Sequence, residues 1–429
     1  KKNKPFGDHY KREEILMSET PLLDQLESGP WPSFVKDLKR VAARKPATRD
    51  LLRQLERSYK DKITHWKHGG IVGVLGYGSG IIGRYSDLPD EFPGVAHFHT
   101  IRINQPSGWF YTSKALRELC AIWDEHGSGA LNVHGSTGDM VFLGTTTDEL
   151  EPTFAALTAK GWDLGGSGSA MRTPSCCVGQ ARCEYACYDT MDLCNQVTQN
   201  FQFDMHRPSF PYKFKVKCSG CPNDCVAAVA RADMSVIGVW KDDIRIDQSA
   251  VAAYAAGELK PRAGGTPYAK LDVKADVTDL CPTICMSYDG KKLTIDNKNC
   301  NHCMHCISLM PQALRIGTET GATLLLGSHA PILEGAQMSW VIVPFMPMEA
   351  PYDEFMELVG NIHEWWSEHG KNRERTGELM LRLGMRNFFQ SVGLEPPRQT
   401  IRTPRANPFF FWHAEDFEAE AKGRKYIKL

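Results

Sequence analysis

The stretch Tyr212-Lys213-Phe214-Lys215-Val216-Lys217-Cys218-Ser219-Gly220-Cys221-Pro222-Asn223-Asp224-Cys225 decides how this chain is to be understood. Its first half alternates, so Lys213, Lys215 and Lys217 share one face of a strand with side-chain period 2. A row of like charges on one face is costly unless an anion neutralises it. The plain alternative is a solvated edge strand whose lysines block aggregation. That alternative weakens here because the strand runs into Cys218 and Cys221, and Cys221 and Cys225 form a C-x3-C pair.

Working upstream, Cys177 and Cys183 make a second spaced pair, C-x5-C. The segment Gly179–Phe201 is expected to be a helix with Cys183, Cys187, Thr190 and Cys194 on one face. On that stripe Cys187 and Cys194 are expected to be core residues. Cys183 falls near the helix start, where backbone N–H groups can offset the negative charge of a cluster.

Downstream, Cys300-Asn-His-Cys303-Met-His-Cys306 has C-x2-C-x2-C spacing, and Cys281-Pro282 precedes it. Three thiolates so spaced can wrap one face of a cubane, and a Cys-Pro pair closes such clusters in bacterial ferredoxins. Cys285 competes with Cys281 for the fourth position, and the Cys-Pro pairing favours Cys281. Met286–Ile295 between them is expected to be a hairpin turning at Asp289-Gly290. Zinc is the alternative, kept open by His302 and His305, but three cysteines this close fit one tetrahedron poorly. The layout is that of half a bacterial ferredoxin, an electron port rather than a catalyst.

Thirteen of the fourteen cysteines lie between Cys176 and Cys306, and such clustering points to metal rather than to disulfides. Cys120, the outlier, falls on an apolar stripe of an expected helix Ser113–His126 with Leu116, Leu119 and Trp123, and is expected in the core. A net charge of -1 gives no reason to expect nucleic-acid binding. The polar first twenty residues and the short, proline-broken Met338–Met348 predict neither a secretion signal nor a membrane span, hence a cytoplasmic location.

Over 429 residues several domains are expected. Residues 1–50 read as a polar arm, 51–164 as an α/β lobe, 165–262 as a cysteine-bearing lobe, 263–322 as an insertion, 323–395 as the continuation of that lobe, and 396–429 as a tail. Residues 69–83 alternate apolar residues with glycine and read as strands joined by a tight turn. They contain a GxGxxG at Gly78, Gly80 and Gly83, yet loop-like sequence follows instead of the helix that dinucleotide binding requires. Strands are also expected at His97–Asn104, Asp139–Thr145, Ser235–Trp240, Ala322–Leu326 and Trp340–Pro344, and helices at Thr147–Lys160, Phe355–Trp366 and Arg373–Gln390.

C-x5-C followed by C-x3-C resembles the signature of sulfite and nitrite reductases, which join a 4Fe-4S cluster to siroheme. PLLDQLESGPWPSF (21–34), HWKHGGIVGVLGYG (65–78), NVHGSTGD (132–139), HRPSFPYKFK (206–215) and NHCMHC (301–306) narrow the resemblance to alpha subunits of dissimilatory sulfite reductases, over residues from about 21 to about 408. The resemblance implies an α+β fold, with sulfite-reductase-type layered domains and an inserted ferredoxin-like domain. It implies six-electron reduction of sulfite to sulfide, with siroheme nitrite reduction, or electron transfer by two clusters without a tetrapyrrole, as the alternatives.

By resemblance, Cys177, Cys183, Cys221 and Cys225 hold the siroheme-coupled 4Fe-4S cluster, and Cys225 bridges to the siroheme iron; Cys176 and Cys218 are neighbours. Cys281, Cys300, Cys303 and Cys306 hold the ferredoxin-type 4Fe-4S cluster. Arg102 in HTIRINQP, Arg172 in GGSGSAMRTPSC, Lys213 and Lys215, with Lys217 beside them, match the basic groups around the substrate oxygens. The implied partners are a homologous beta subunit in an α2β2 assembly, a small sulfur-carrier protein and an electron donor. The pseudo-twofold pairing of such subunits further implies that these basic groups complete the siroheme site whose cluster lies on beta.

Overall fold

Prolines at 21 and 46 open helices instead of interrupting the chain. In the computed structural model, residues 19–29, 33–104, 110–261, 270–329 and 336–397 are described. The expected arm before residue 19, residues 262–269 at the expected start of the insertion and nearly all of the tail (398–429) fall outside them. The described part of 1–50 is helical. Helices Pro21–Glu27, Phe34–Ala42 and Pro46–Asp61 pack Leu23, Val35, Leu38, Leu51 and Leu52 against Phe92, Val95 and Phe98. Proline at a first helical position loses no hydrogen bond, so what reads as punctuation is a helix start.

The first sheet has strands β1 (Trp66–Val74), β2 (Tyr77–Ser86), β3 (His99–Asn104), β4 (Leu131–Val133), β5 (Met140–Thr145) and β6 (Asp163–Leu164). Its order is β1-β2-β3-β5-β4, with β6 on β3, and every pairing is antiparallel. The three motif glycines lie inside β2 and serve the sheet. A Cβ at Gly83 would sit 2.2 Å from the Gly70 carbonyl oxygen across the hairpin.

Ile101 and Ile103 of β3 face a core with Leu119, Ile122, Trp123 and Phe142. The opposite face of β3 carries Thr100, Arg102 and Asn104. Cys120 corrects the sequence expectation. It is exposed, because the buried stripe of helix Ser113–His126 runs through Leu119, Ile122 and Trp123 and leaves Leu116 outside as well.

The second sheet begins with β7 (Ser175–Cys176), β8 (Val216–Ser219) and β9 (Met234–Trp240), all parallel. Four short strands follow, β10 (Arg245–Ile246), β11 (Met286–Tyr288), β12 (Leu293–Ile295) and β13 (Leu314–Arg315). Then β14 (Thr320–Leu326) returns antiparallel to β9 over seven residue pairs, and β15 (Trp340–Met346) closes the order β15-β14-β9-β8-β7. Helix Asp353–His369 covers this sheet through Phe355, Ile362 and Trp366. The fold is α+β.

Two helix expectations change. Gly179–Phe201 is a helix only from Thr190 to Asn200, capped by the Asp189 carboxylate, which accepts from Met191 and Asp192 N–H at 3.1 and 3.0 Å. Cys183 and Cys187 therefore lie in the irregular segment before it. Arg373–Gln390 is two helices, Thr376–Leu383 and Met385–Ser391, split at Gly384 (φ +86°).

Because β9 and β14 are neighbours, residues 241–319 form one excursion from the sheet. Its core includes Ile244, Val251 and Tyr254, well before the expected start at 263, together with Leu293, Ile307 and Leu314. The hairpin β11–β12 turns where expected, with Gly290 at φ +91° and the Asp289 carboxylate accepting from Lys291 and Lys292 N–H.

Candidate functional site

β7 and β8 run parallel with Cys176 opposite Cys218, so Cys177 and the loop carrying Cys221 and Cys225 leave the sheet at the same end. Cys183 reaches them from the turn after Gly179–Ala181. Together Cys177, Cys183, Cys221 and Cys225 line a cavity of about 240 Å³ with Val178, Ala186 and Val226. The Gly220 N–H donates to Cys177 Sγ at 3.1 Å. Asp224, at φ +44°, shapes the C-x3-C loop: its carboxylate accepts from Ser219 Oγ (2.6 Å), Ala228 N–H (2.8 Å) and Val229 N–H (3.0 Å).

Burial pushes the Cys221 thiol up to about 11 and Cys187 up to about 12. A bare thiolate is thus disfavoured at both positions, and at Cys221 a bound metal centre would take the place of the thiol proton. Cys187 and Cys194 sit in apolar cores, as expected. Cys176 lines the edge of the same cavity, and Cys218 is buried beside it.

Sulfurs bound to one zinc ion lie about 3.8 Å apart, given Zn–S bonds of about 2.3 Å. Among the described residues no three His, Cys, Asp or Glu side chains are grouped to hold a single ion. Four thiols spread around a cavity suit a multinuclear iron–sulfur cluster.

The basic strand is interior, since β8 lies between β7 and β9, and the edge-strand alternative is excluded. Regular pairing starts only at Val216, with Phe214 bridging to Met171. Arg102, Arg172 and Lys213 meet in a cleft of about 680 Å³, together with Tyr212 and Arg373 and walled by His68, Gly78 and Gly83 of the β1–β2 hairpin.

Arg102 is ion-paired with the fully buried Asp139 and donates to Thr137 Oγ1 at 3.1 Å. Thr137 and Thr173 hydroxyls also donate to Asp139. Arg172 donates to the Gly168 and Ala170 carbonyls, both at 2.8 Å. Burial and the nearby Arg102 bring its pKa down to about 9.

Lys215 donates to Ser136 Oγ at 2.6 Å. Burial, with Arg375, Lys213 and Arg172 adding and Asp233 opposing, lowers it to about 7. Lys217, fully buried, points its Nζ at the Gly135 carbonyl (3.4 Å) and is lowered to about 8 by burial and Arg231. Lys215 and Lys217 therefore turn to the loop 134–137, and neither lines the cleft. On the polar face of β3, Thr100 Oγ1, Arg102 Nε and Asn104 Oδ1 are buried with no hydrogen-bond partner among the described residues. Of these, Arg102 lines the basic cleft, where an N–H still to be paired fits an anionic ligand.

Sequence reasoning missed several of these groups. Asp233 accepts a fork from Arg375 (Nε 2.9 Å, Nη2 2.7 Å) and also the Lys215 N–H at 2.9 Å. Arg373 and Lys213 lie over the Tyr212 ring at 5.5 and 4.9 Å. Asp139 ends the quoted NVHGSTGD, so a signal existed there; nothing periodic marks Arg373 or Arg375.

In the excursion, Cys281, Cys285, Cys300, Cys303 and Cys306 line a second, apolar cavity with Trp240, His302 and Met304. Left-handed backbone at Ile284, His302 and Met304 turns the ligand segments inward. Cys281 and Cys285 Sγ are 3.5 Å apart. At Cys281 burial acts upward, but the N–H groups of Cys285 and Thr283 outweigh it and hold the thiol below its ordinary range. Cys285 is pushed up to about 11 by burial. Both thiols reach the cavity, so the fourth position stays shared between Cys281 and Cys285 in the fold. His305 Nε2 is 3.0 Å from the Asp276 carbonyl oxygen, and the His302 ring stacks on Trp240.

Residues 167–399 match the family model described as the nitrite and sulphite reductase 4Fe-4S domain. Residues 93–160, in the first sheet, match the nitrite/sulfite reductase ferredoxin-like half domain. The sulfite reductase, dissimilatory-type subunit alpha, of Nitratidesulfovibrio vulgaris is 55% identical, covering 92% of this chain and 95% of its own. The chain belongs to the dissimilatory sulfite reductase alpha subunits. Another member of that family, from Allochromatium vinosum, is 41% identical over 94% of this chain and 96% of its own. A crystal structure of dissimilatory sulfite reductase I superposes with a TM-score of 0.86 at 52% identity, covering 95% of this chain and 99% of that one. The dissimilatory-type beta subunit of Archaeoglobus fulgidus is 25% identical over 85% of this chain and 94% of its own, so the family includes a related beta chain. No described helix is long and apolar enough to cross a membrane.

Proposed function

We propose that this chain is the alpha subunit of a cytoplasmic dissimilatory sulfite reductase, which reduces sulfite to sulfide with six electrons. The observation that carries this is the meeting of Cys177, Cys183, Cys221 and Cys225, drawn from separated segments, around one cavity. Those thiols would hold a 4Fe-4S cluster, and Cys225, the exposed one, would link it to siroheme. Siroheme supplies the iron that binds sulfur and passes it electrons. Cys281, Cys300, Cys303 and Cys306 would hold a second 4Fe-4S cluster, which would supply an entry point for electrons from a donor protein.

The remaining work falls to side chains of this chain. Arg102 and Arg172 are held rigidly, by Asp139 and by carbonyls, so their forks can grip oxyanion oxygens without reorganising. Arginine does not release protons at neutral pH, so it orients and neutralises. Lys213 offers a mobile ammonium in the same cleft. Lys215 and Lys217, lowered to about 7 and 8, stand behind the cleft at the loop 134–137, and Lys213 is the lysine that lines it.

The cleft and the first cysteine cavity have no lining side chain in common. That supports the further reading that Arg102, Arg172, Lys213 and Lys215 complete the siroheme site whose cluster is on beta, in an α2β2 assembly. A small sulfur-carrier protein is the proposed acceptor of the product. The test is iron and acid-labile sulfide analysis of the anaerobic complex, with its visible spectrum and sulfite turnover. Two clusters per alpha chain and strong tetrapyrrole bands are expected; a colourless complex, or one with zinc in place of iron, ends the proposal.

A further inference from the structure

β9 runs past both cysteine cavities. Gly238 lies against the loop that holds Cys221: an added Cβ there would sit 2.0 Å from the Gly220 carbonyl oxygen and 3.0 Å from the Cys221 nitrogen. Trp240, two residues on and so on the same strand face, lines the second cavity. Its indole stacks on the His302 ring at 4.3 Å between centroids and 24° between planes.

His302 lies between Cys300 and Cys303 with φ +56°, a conformation uncommon outside glycine, so the stack braces a strained part of the ligand run. The indole is 1% exposed, and its Nε1 has no hydrogen-bond partner among the described residues. A buried N–H without a partner marks a place where a ligand is wanted. Cluster and thiolate sulfurs are the acceptors that this cavity would bring.

We propose that Trp240 is the positioning residue that links the two iron–sulfur centres, bracing the Cys300–Cys303 segment through His302 and donating its N–H to a sulfur of the second cluster. This rests on the two-cluster reading above. An N–H donated to sulfur favours the more negative, reduced cluster and so raises its reduction potential. Packing between Trp240 and His302 fixes the separation across which one electron at a time leaves the second cluster, oxidising it and reducing the first centre.

The experiment uses the intact complex, prepared without air, with Trp240→Phe and Trp240→Leu. Iron and sulfide are counted, the second cluster is titrated by electron paramagnetic resonance, and the siroheme band is followed after rapid reduction of that cluster. Trp240→Phe keeps a stacking ring but loses the donor. It is expected to shift the second cluster to a more negative midpoint, with the transfer rate within about twofold of the parent. Trp240→Leu loses both and is expected to add a slowing of transfer of about tenfold or more. Wild-type midpoint and rate in both variants, with both clusters loaded, overturn the proposal. A parent complex without any second-cluster signal instead overturns the two-cluster reading beneath it.

Discussion

Cys281, Cys300, Cys303 and Cys306 fall in one run of an excursion from the sheet, whereas Cys177, Cys183, Cys221 and Cys225 come from the ends of two parallel strands and a turn. In the first case short-range backbone geometry does the gathering, through left-handed Ile284, His302 and Met304. In the second, the parallel pairing of β7 with β8 does it, and Asp224 locks the last loop. A locally built site tolerates change elsewhere in the chain. A site built from the sheet inherits every disturbance of that sheet.

The sharpest test of this contrast is Cys221→Ser against Cys303→Ser. Cys221→Ser is expected to abolish both the first cluster and the tetrapyrrole bands and to lower sulfite turnover by at least about a thousandfold. Cys303→Ser is expected to keep those bands and to lose only about tenfold with a small-molecule reductant. Equal loss in both variants would show that the two sites are not separable.

Arg102→Ala is next. Removal of a preorganised cation from the cleft is expected to lower kcat/KM for sulfite by about a hundredfold to a thousandfold. Asp139→Asn, which leaves the arginine but loosens it, should do less. An Asp139 effect as large as that of Arg102 would mean the buried pair, not the fork toward substrate, is what matters.

Within the second site, Cys281→Ser is expected to lose about one iron per chain, and Cys285→Ser none. The opposite pattern in iron counting would reassign the fourth ligand.

The smallest expected effect concerns pH. Lys215 titrates near 7 in the fold against 10.5 in an open chain, so the unfolded chain binds more protons between those values. Stability must therefore rise with pH across that window. Anion binding runs the other way, because charge is lost above about 7 and KM for sulfite climbs. Lys215→Met should flatten both trends in paired pH series of thermal unfolding and of KM; unchanged slopes would place the charge loss on another group.

How much was legible follows the same division. The C-x2-C-x2-C run and its hairpin could be read directly, because their geometry is set by neighbouring residues. The first site carried only two spacings, and four ligands emerged from the resemblance, since no periodicity encodes the pairing of β7 with β8. The alternation of Lys213, Lys215 and Lys217 was visible, but not that the strand is interior or that Lys217 is wholly buried. Asp233 and Arg375 were invisible: the fork between them joins residues 142 apart in sequence. The Gly179–Phe201 helix failed because apolar spacing does not fix a helix start, and Asp189, the actual cap, sits in mid-pattern. Cys120 failed differently: its helix is capped by Thr112 and has the expected bounds, but the buried stripe passes through Ile122 and not through Cys120.

Trp240 and Cys187 belong to the main scaffold, yet they complete the apolar core of the excursion. The excursion is therefore not a detachable cartridge. A relative that lacks it must carry something other than an indole at the end of that strand, because stripping the cover would bare roughly 200 Å² of aromatic surface to water. Removal of the excursion thus requires a compensating change at the end of β9, where Trp240 now closes its core.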